Sequence, residues 1–148
     1  MIACSIEKRI AAPAADVFAK LTDLASASET ISAIRRIEIL TDGPVTVGTR
    51  FRETRVMFGR EATEEMEISA LDPPRRFALR AESCGCRFQS EFRLEPAGGG
   101  TRVVMVIESE PLTFVARVLS VLMRPMMKPM AKACAKDLDD LAAAVEKG

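Results

Sequence analysis

The residues able to do chemistry are few, and their types limit what that chemistry can be. The 148 residues contain no histidine, tyrosine or tryptophan. Ser-His-Asp and Cys-His nucleophilic arrangements and histidine-based metal sites are therefore excluded. Any general acid or base must be Asp, Glu, Lys or Cys, with its pKa moved by burial or by a neighbouring charge. Side chains on one face of a strand recur every second residue, which narrows the field. An inward Phe51 carries Glu53 and Arg55 with it, and inward Met66, Ile68 and Ala70 carry Glu64. Phe88 and Phe92 bring Ser90 inward, as Met105 and Ile107 bring Ser109. Glu53, Arg55 and Glu64 are thus the candidate catalytic residues. The guanidinium would grip a carboxylate or enolate oxygen, and a carboxylate beside it would move a proton. Two alternatives stand beside this reading. A bulge after Phe51 would turn Glu53 and Arg55 to solvent, and a mutual ion pair between them would be purely structural.

The cysteines and methionines offer less. Cys4 falls in the first strand and Cys134 on an apolar helix stripe, where both read as small buried hydrophobes. Cys84 and Cys86 flank Gly85 at a hairpin turn, and no base stands near them in sequence. A four-thiolate zinc site needs two close pairs, and only one exists, so no metal and no cofactor are expected. Met123, Met126, Met127 and Met130 cluster on the last helix, with Met57, Met66 and Met105 in the strands. Helical spacing alone reads them as ordinary core filler, but their concentration where a cavity should lie favours adaptable pocket lining.

These residues need elements to position them. Residues 2–10 alternate loosely as a first strand, and Pro13 opens a short helix with Val17, Phe18 and Leu21 on one face. Residues 23–32 read as a second short helix or loop. Six strands follow, punctuated by Asp42-Gly43-Pro44, Gly59, Asp72-Pro73-Pro74, Cys84-Gly85-Cys86 and Gly98-Gly99-Gly100. The chain closes on an amphipathic helix in which Val115, Val118, Leu122, Met126, Met130, Cys134, Leu138, Leu141 and Val145 recur at steps of three or four. Pro125 and Pro129 predict a kink or break, with residues 112–123 as a first part and 130–146 as an anchor. Such a break would serve as a lid or simply as a curve. The class is α+β: a curved, seven-stranded antiparallel sheet around a long C-terminal helix, with two short helices after the first strand. One domain, residues 1–148, is expected.

Bulk properties exclude some partners. The chain carries 21 basic and 21 acidic residues, a formal net charge of zero. That argues against broad attraction to nucleic acid or to an anionic membrane. The most apolar stretch, residues 111–130, contains Arg117, Arg124, Lys128 and two prolines, which a spanning helix tolerates poorly. A cytoplasmic protein without stable membrane insertion is expected. A homodimer is left open.

The order of these parts resembles the START-like or Bet v 1-like superfamily (SRPBCC), in particular its bacterial polyketide cyclase/dehydrase branch. The resemblance rests on Ile10-Ala-Ala-Pro-Ala-Ala-Asp-Val-Phe18, Val47-Gly-Thr-Arg-Phe51, Gly99-Gly-Thr-Arg-Val103 and Asp137-Leu-Asp-Asp-Leu141 with Val145-Glu146. It implies a helix-grip fold that encloses a cavity for lipids, sterols, polyketides or plant metabolites, and no shared catalytic motif. Many relatives carry a Trp after the first helix, where this chain has Glu29, Thr30 and Ile31. The expected function is binding or carriage of a small hydrophobic ligand. Phe18, Phe51, Met66, Phe77, Leu79, Phe88, Ser90, Phe92, Met105, Leu122, Met126 and Met130 would line its site. One alternative is a cyclase/dehydratase-type lyase or isomerase with Glu53 or Glu64 as base. Another is a regulator that binds a protein partner.

Overall fold

The computed structural model describes residues 2–57, 59–83, 85–122, 125 and 127–147. Cys84, Met123 and Met126, to which the sequence assigned roles, lie outside them. Strand β1 (Ile2–Ile10) is followed by α1 (Ala14–Leu21), a one-turn 3-10 helix (Leu24–Ser26) and α2 (Ala27–Thr30). Then come β2 (Ile34–Ile39), β3 (Arg50–Met57), β4 (Arg60–Asp72), β5 (Arg76–Ser83), β6 (Cys86–Ala97) and β7 (Gly100–Pro111). Two helices close the chain, α3 (Phe114–Leu122) and α4 (Met127–Lys147). The seven strands form one antiparallel sheet in the order β1-β7-β6-β5-β4-β3-β2.

Local chemistry explains these boundaries. In α1, Pro13 stands at the N-cap, Asp16 lies in the first turn and Lys20 in the last, matching the helix dipole. Thr22 ends the helix, its backbone N–H and its hydroxyl both donating to the Phe18 carbonyl. The C-terminal helix is divided, as its prolines predict. Pro125 stands between α3 and α4, and Pro129 falls in the first turn of α4, where backbone N–H groups have no intrahelical acceptor to lose.

The apolar core lies between the concave face of the sheet and the helices α1 and α4. Phe51, Ile10, Ile68, Leu141, Val17 and Val103 are essentially fully buried there. Each large apolar side chain so placed is worth about 1.5–3 kcal/mol relative to exposure. Phe18 meets Phe77 edge-on and Phe77 stacks on Phe92, with centroids 6.5 and 6.1 Å apart. The register sets which residues share this face. Phe77 pairs with Phe92 and Phe92 with Met105, while Leu79 pairs with Ser90 and Ser90 with Ile107. One expectation fails here. A register shift between Ile68 and Ala70 puts Ala70 opposite Ala78 and Leu71 opposite Phe77. Ala70 therefore leaves the inward row, and Leu71 takes its place.

The other face of the sheet is laced with cross-strand ion pairs. Arg50 meets Glu65, Arg52 meets Glu38, and Arg80 reaches Glu67. Glu91 accepts from both Arg76 and Arg93. Burial alone would raise the Glu91 pKa, but the two guanidinium groups outweigh it and hold the carboxyl below its ordinary value.

Acidic residues fasten α4 to the strands and loops beneath it. Asp137 accepts from Arg55, Asp139 pairs with Lys8, and Glu146 accepts from the Ala11 backbone N–H. Asp140 accepts from both the backbone N–H and the hydroxyl of Ser32, and from Lys136. Burial works to raise the Asp140 pKa, yet these donors keep it below its ordinary value. Asp139 and Asp140 are thus fasteners of the helix.

Candidate functional site

Strand β3 runs in unbroken register against β4, with Phe51 opposite Met66, Glu53 opposite Glu64 and Arg55 opposite Ala62. No bulge intervenes after Phe51. Glu53 and Arg55 therefore share the concave face with the buried Phe51, as strand parity requires. Arg55 Nε donates to Glu53 Oε2 at 3.2 Å, and Arg55 Nη1 donates to Asp137 Oδ2 at 2.9 Å. The three side chains are only 19% (Arg55), 11% (Glu53) and 14% (Asp137) exposed. One guanidinium from the sheet is thus clasped between a carboxylate of its own strand and one from the helix.

The electrostatics are those of two acids sharing one base. Burial raises the Glu53 pKa above its ordinary value, against the opposing pull of Arg55. Burial likewise raises Asp137, again with Arg55 working to lower it. Arg55 itself is held up by its two carboxylates in spite of desolvation. With both acids ionised the cluster would carry a net negative charge in a poorly hydrated place. Retaining a proton on one acid relieves that cost. Asp137 Oδ1 is buried and has no hydrogen-bond partner among the described residues. Cys134, one turn before Asp137, has its thiol pushed up to about 11, first by burial and then by the Asp137 charge. It is not a nucleophile at neutral pH.

Of the three residues singled out for chemistry, Glu53 and Arg55 are brought together, while Glu64 stands opposite Glu53 as an exposed side chain. Its charge adds a small upward push to Glu53. Asp137 was missed as a site residue. Its signal was the helical period, since it lies three residues after Cys134 and four before Leu141, on the edge of the apolar stripe.

The residues expected to line the ligand site divide into three groups. Phe18, Phe51, Phe77 and Met105 are buried in the core, and Met66, Leu79, Phe92 and Met130 are partly buried against it. Phe88 and Ser90 are half-buried on the same face. Leu122 is 66% exposed and lies outside this group, because α3 packs on β7 rather than across the sheet. Its expected place as lining is corrected. A cleft of about 700 Å³ opens where β4 and β5 part, their pairing beginning only at Glu67 and Arg80. Met66 and Ala81 reach it, but Arg50, Glu65, Glu67, Arg80, Glu82, Arg87 and Gln89 dominate its walls. Those charged side chains alternate with the inward row and belong to the outer face of the sheet, so this opening is a polar surface cleft distinct from the concave site.

The profile of one protein family, described as polyketide cyclase/dehydrase and lipid transport, matches residues 1–146. The chain belongs to that family. The structure also superposes on solved members of the helix-grip class. One is TTHA0849 of Thermus thermophilus, at a TM-score of 0.78 and 22% identity, covering 97% of this chain and 96% of that one. The Zhui aromatase/cyclase of Streptomyces sp. R1128 gives 0.74 and 18%, covering 97% and 93%. Major latex-like protein 151 of Panax ginseng gives 0.73 and 13%, covering 96% and 95%. At these identities the likeness is one of fold. Among curated proteins none matches the chain in sequence. The family's description covers both cyclase/dehydrase and lipid-transport roles, and the fold alone does not choose between them. No helix of the described residues is long and apolar enough to cross a membrane.

Proposed function

We propose that this protein binds a small, largely apolar molecule between the sheet and α4, with one polar end directed at Glu53, Arg55 and Asp137. The single observation behind this reading is that cluster. It is a nearly buried guanidinium between two carboxyls, adjoining the Phe51–Met66 pair, with one carboxylate oxygen unpartnered among the described residues. A ligand hydroxyl or enol would give Asp137 Oδ1 the hydrogen bond it lacks, and the aromatic row Phe77–Phe92 would take the apolar body. Half-buried Phe88, Ser90, Leu79 and Met66 form the side from which the molecule would enter.

The same cluster supports a second reading, proton transfer in a cyclisation or dehydration. A carboxyl that keeps its proton is a general acid, and a guanidinium beside it stabilises an oxyanion. The aromatase/cyclase among the structural neighbours agrees with this reading. Native mass spectrometry after incubation with a polyketide and lipid extract separates the two. Binding alone predicts an adduct of unchanged mass that survives in Asp137→Asn with affinity reduced about tenfold, the worth of a charge-assisted hydrogen bond. Catalysis predicts a product lighter by one water, or isomeric, and absent in both Asp137→Asn and Glu53→Gln. No adduct and no product with any fraction would refute the proposal.

A further inference from the structure

Helix α3 is turned the wrong way round for an ordinary surface helix. At about 100° per residue, Phe114, Val115, Val118, Leu119, Val121 and Leu122 fall within an arc of about 160°. That arc would normally face a core. Here all six are exposed, from Val118 at 46% to Phe114 at 80%. Ala116, about 140° from the centre of the arc by the same helical period, is buried instead. It packs near Gly85 at the β5–β6 turn, where Leu112 N–H donates to the Gly85 carbonyl. The small side of the helix therefore meets the protein, and the bulky side points away from it. An apolar surface so concentrated on a surface helix marks a contact.

Charge says what kind of contact. Residues 111–136 contain five basic residues, Arg117, Arg124, Lys128, Lys132 and Lys136, and no Asp or Glu. The rest of the chain holds sixteen basic against twenty-one acidic residues, so the zero net charge divides into a +5 segment and a −5 body. The even balance of the whole chain had argued against attraction to an anionic membrane, but it conceals this division. Arg117, Lys128 and Lys132 are exposed, while Lys136 pairs with Asp140. A second copy docked through the same face would bring like charges together, whereas a negatively charged surface would not.

We infer that α3 and the start of α4 form a peripheral docking face for an anionic phospholipid bilayer, with the apolar arc of α3 entering the headgroup–acyl boundary and the basic residues meeting the phosphates. This is interfacial binding of an amphipathic helix, with nothing spanning the bilayer. It is independent of what the concave site holds.

Vesicle co-sedimentation of the full chain tests it. Vesicles of phosphatidylcholine with about a third phosphatidylglycerol should bind the protein, and phosphatidylcholine alone should bind it at least about tenfold less. Raising the salt to about 0.5 M should release it. Leu119→Glu, on the apolar arc, and the separate pair Arg117→Glu with Lys128→Glu should each cut binding about tenfold or more. The three positions substituted are all solvent-facing, so circular dichroism should be unchanged. Absence of binding, equal binding to both vesicle types, or unaltered binding by both variants overturns the inference. So does a dimer in sedimentation velocity that Leu119→Glu disperses, because a second copy would then cover the face.

Discussion

At the scale of single residues, the Glu53–Arg55–Asp137 cluster makes a claim about pH. Glu53 and Asp137 have ordinary values of 4.5 and 3.8, and burial raises both in the folded protein. Between the ordinary and the raised values the native state holds more protons than the unfolded one. The contribution of these two groups to stability therefore falls as pH rises through that window. Arg55 is what makes their ionised forms tolerable. Arg55→Met should cost about 3–5 kcal/mol near neutral pH, the usual result of stripping one partner from a buried ionic cluster. The cost should shrink toward about pH 5, as the carboxyls take up protons. Urea unfolding at both pH values reads this directly. An equal loss at the two would mean that the carboxyls are hydrated and the cluster is not a low-dielectric site. The pairing of Glu53 with Arg55 was legible because period-two alternation from Phe51 is unaffected by anything outside β3. Asp137 was not legible, because a helix edge position reads as either wet or dry until the strand opposite it is known.

At the scale of elements, close backbone contacts decide more than propensity does. Gly100 begins β7 directly beneath the end of β1, and a Cβ built there would come within 2.4 Å of the Ile10 carbonyl oxygen. Next to it Thr101 is fully buried and donates to the Ala12 carbonyl at 2.7 Å, tying the sheet to the entry of α1. Gly100→Ala should therefore destabilise by about 2 kcal/mol or more, since the obstructing atom is backbone and cannot rotate aside. Gly99→Ala, with open space around its Cβ but a φ of +85°, should cost only about 1 kcal/mol. Thermal melts of the two variants give the comparison, and a smaller loss for Gly100→Ala would contradict the packing described. The strands and their turns could be read from alternation and from Gly and Pro, because both signals are local. The shift between Ile68 and Ala70 could not, since a bulge appears only when two strands are laid side by side. The fasteners Asp139 and Asp140 were hidden for the same reason. Their partners Lys8 and Ser32 lie more than a hundred residues away in sequence.

At the scale of the whole molecule, the two proposed surfaces are separate and can be read independently. The concave site is built from the sheet, α1 and α4, while α3 stands apart on the end of β7. The sequence placed Leu122 on the same stripe as Leu138 because helical spacing continues across Pro125. The division into two helices breaks that continuity and allows α3 to face elsewhere. The absence of Trp and Tyr makes the separation measurable, since any Trp introduced is the sole strong fluorophore. Phe88→Trp places it half-buried on the concave face opposite Ser109, and Phe114→Trp places it on the exposed arc of α3. If the two surfaces act as proposed, palmitate or a tricyclic phenol should shift the Phe88→Trp emission to shorter wavelength and leave Phe114→Trp unmoved. Anionic vesicles should do the reverse, because burial of an indole in an apolar medium occurs only where the contact is made. A Phe88→Trp emission already blue-shifted and indifferent to every small molecule would mean that the concave face is closed core. A Phe114→Trp that responds to the small molecules instead would mean that α3 folds over the ligand, joining the two surfaces into one.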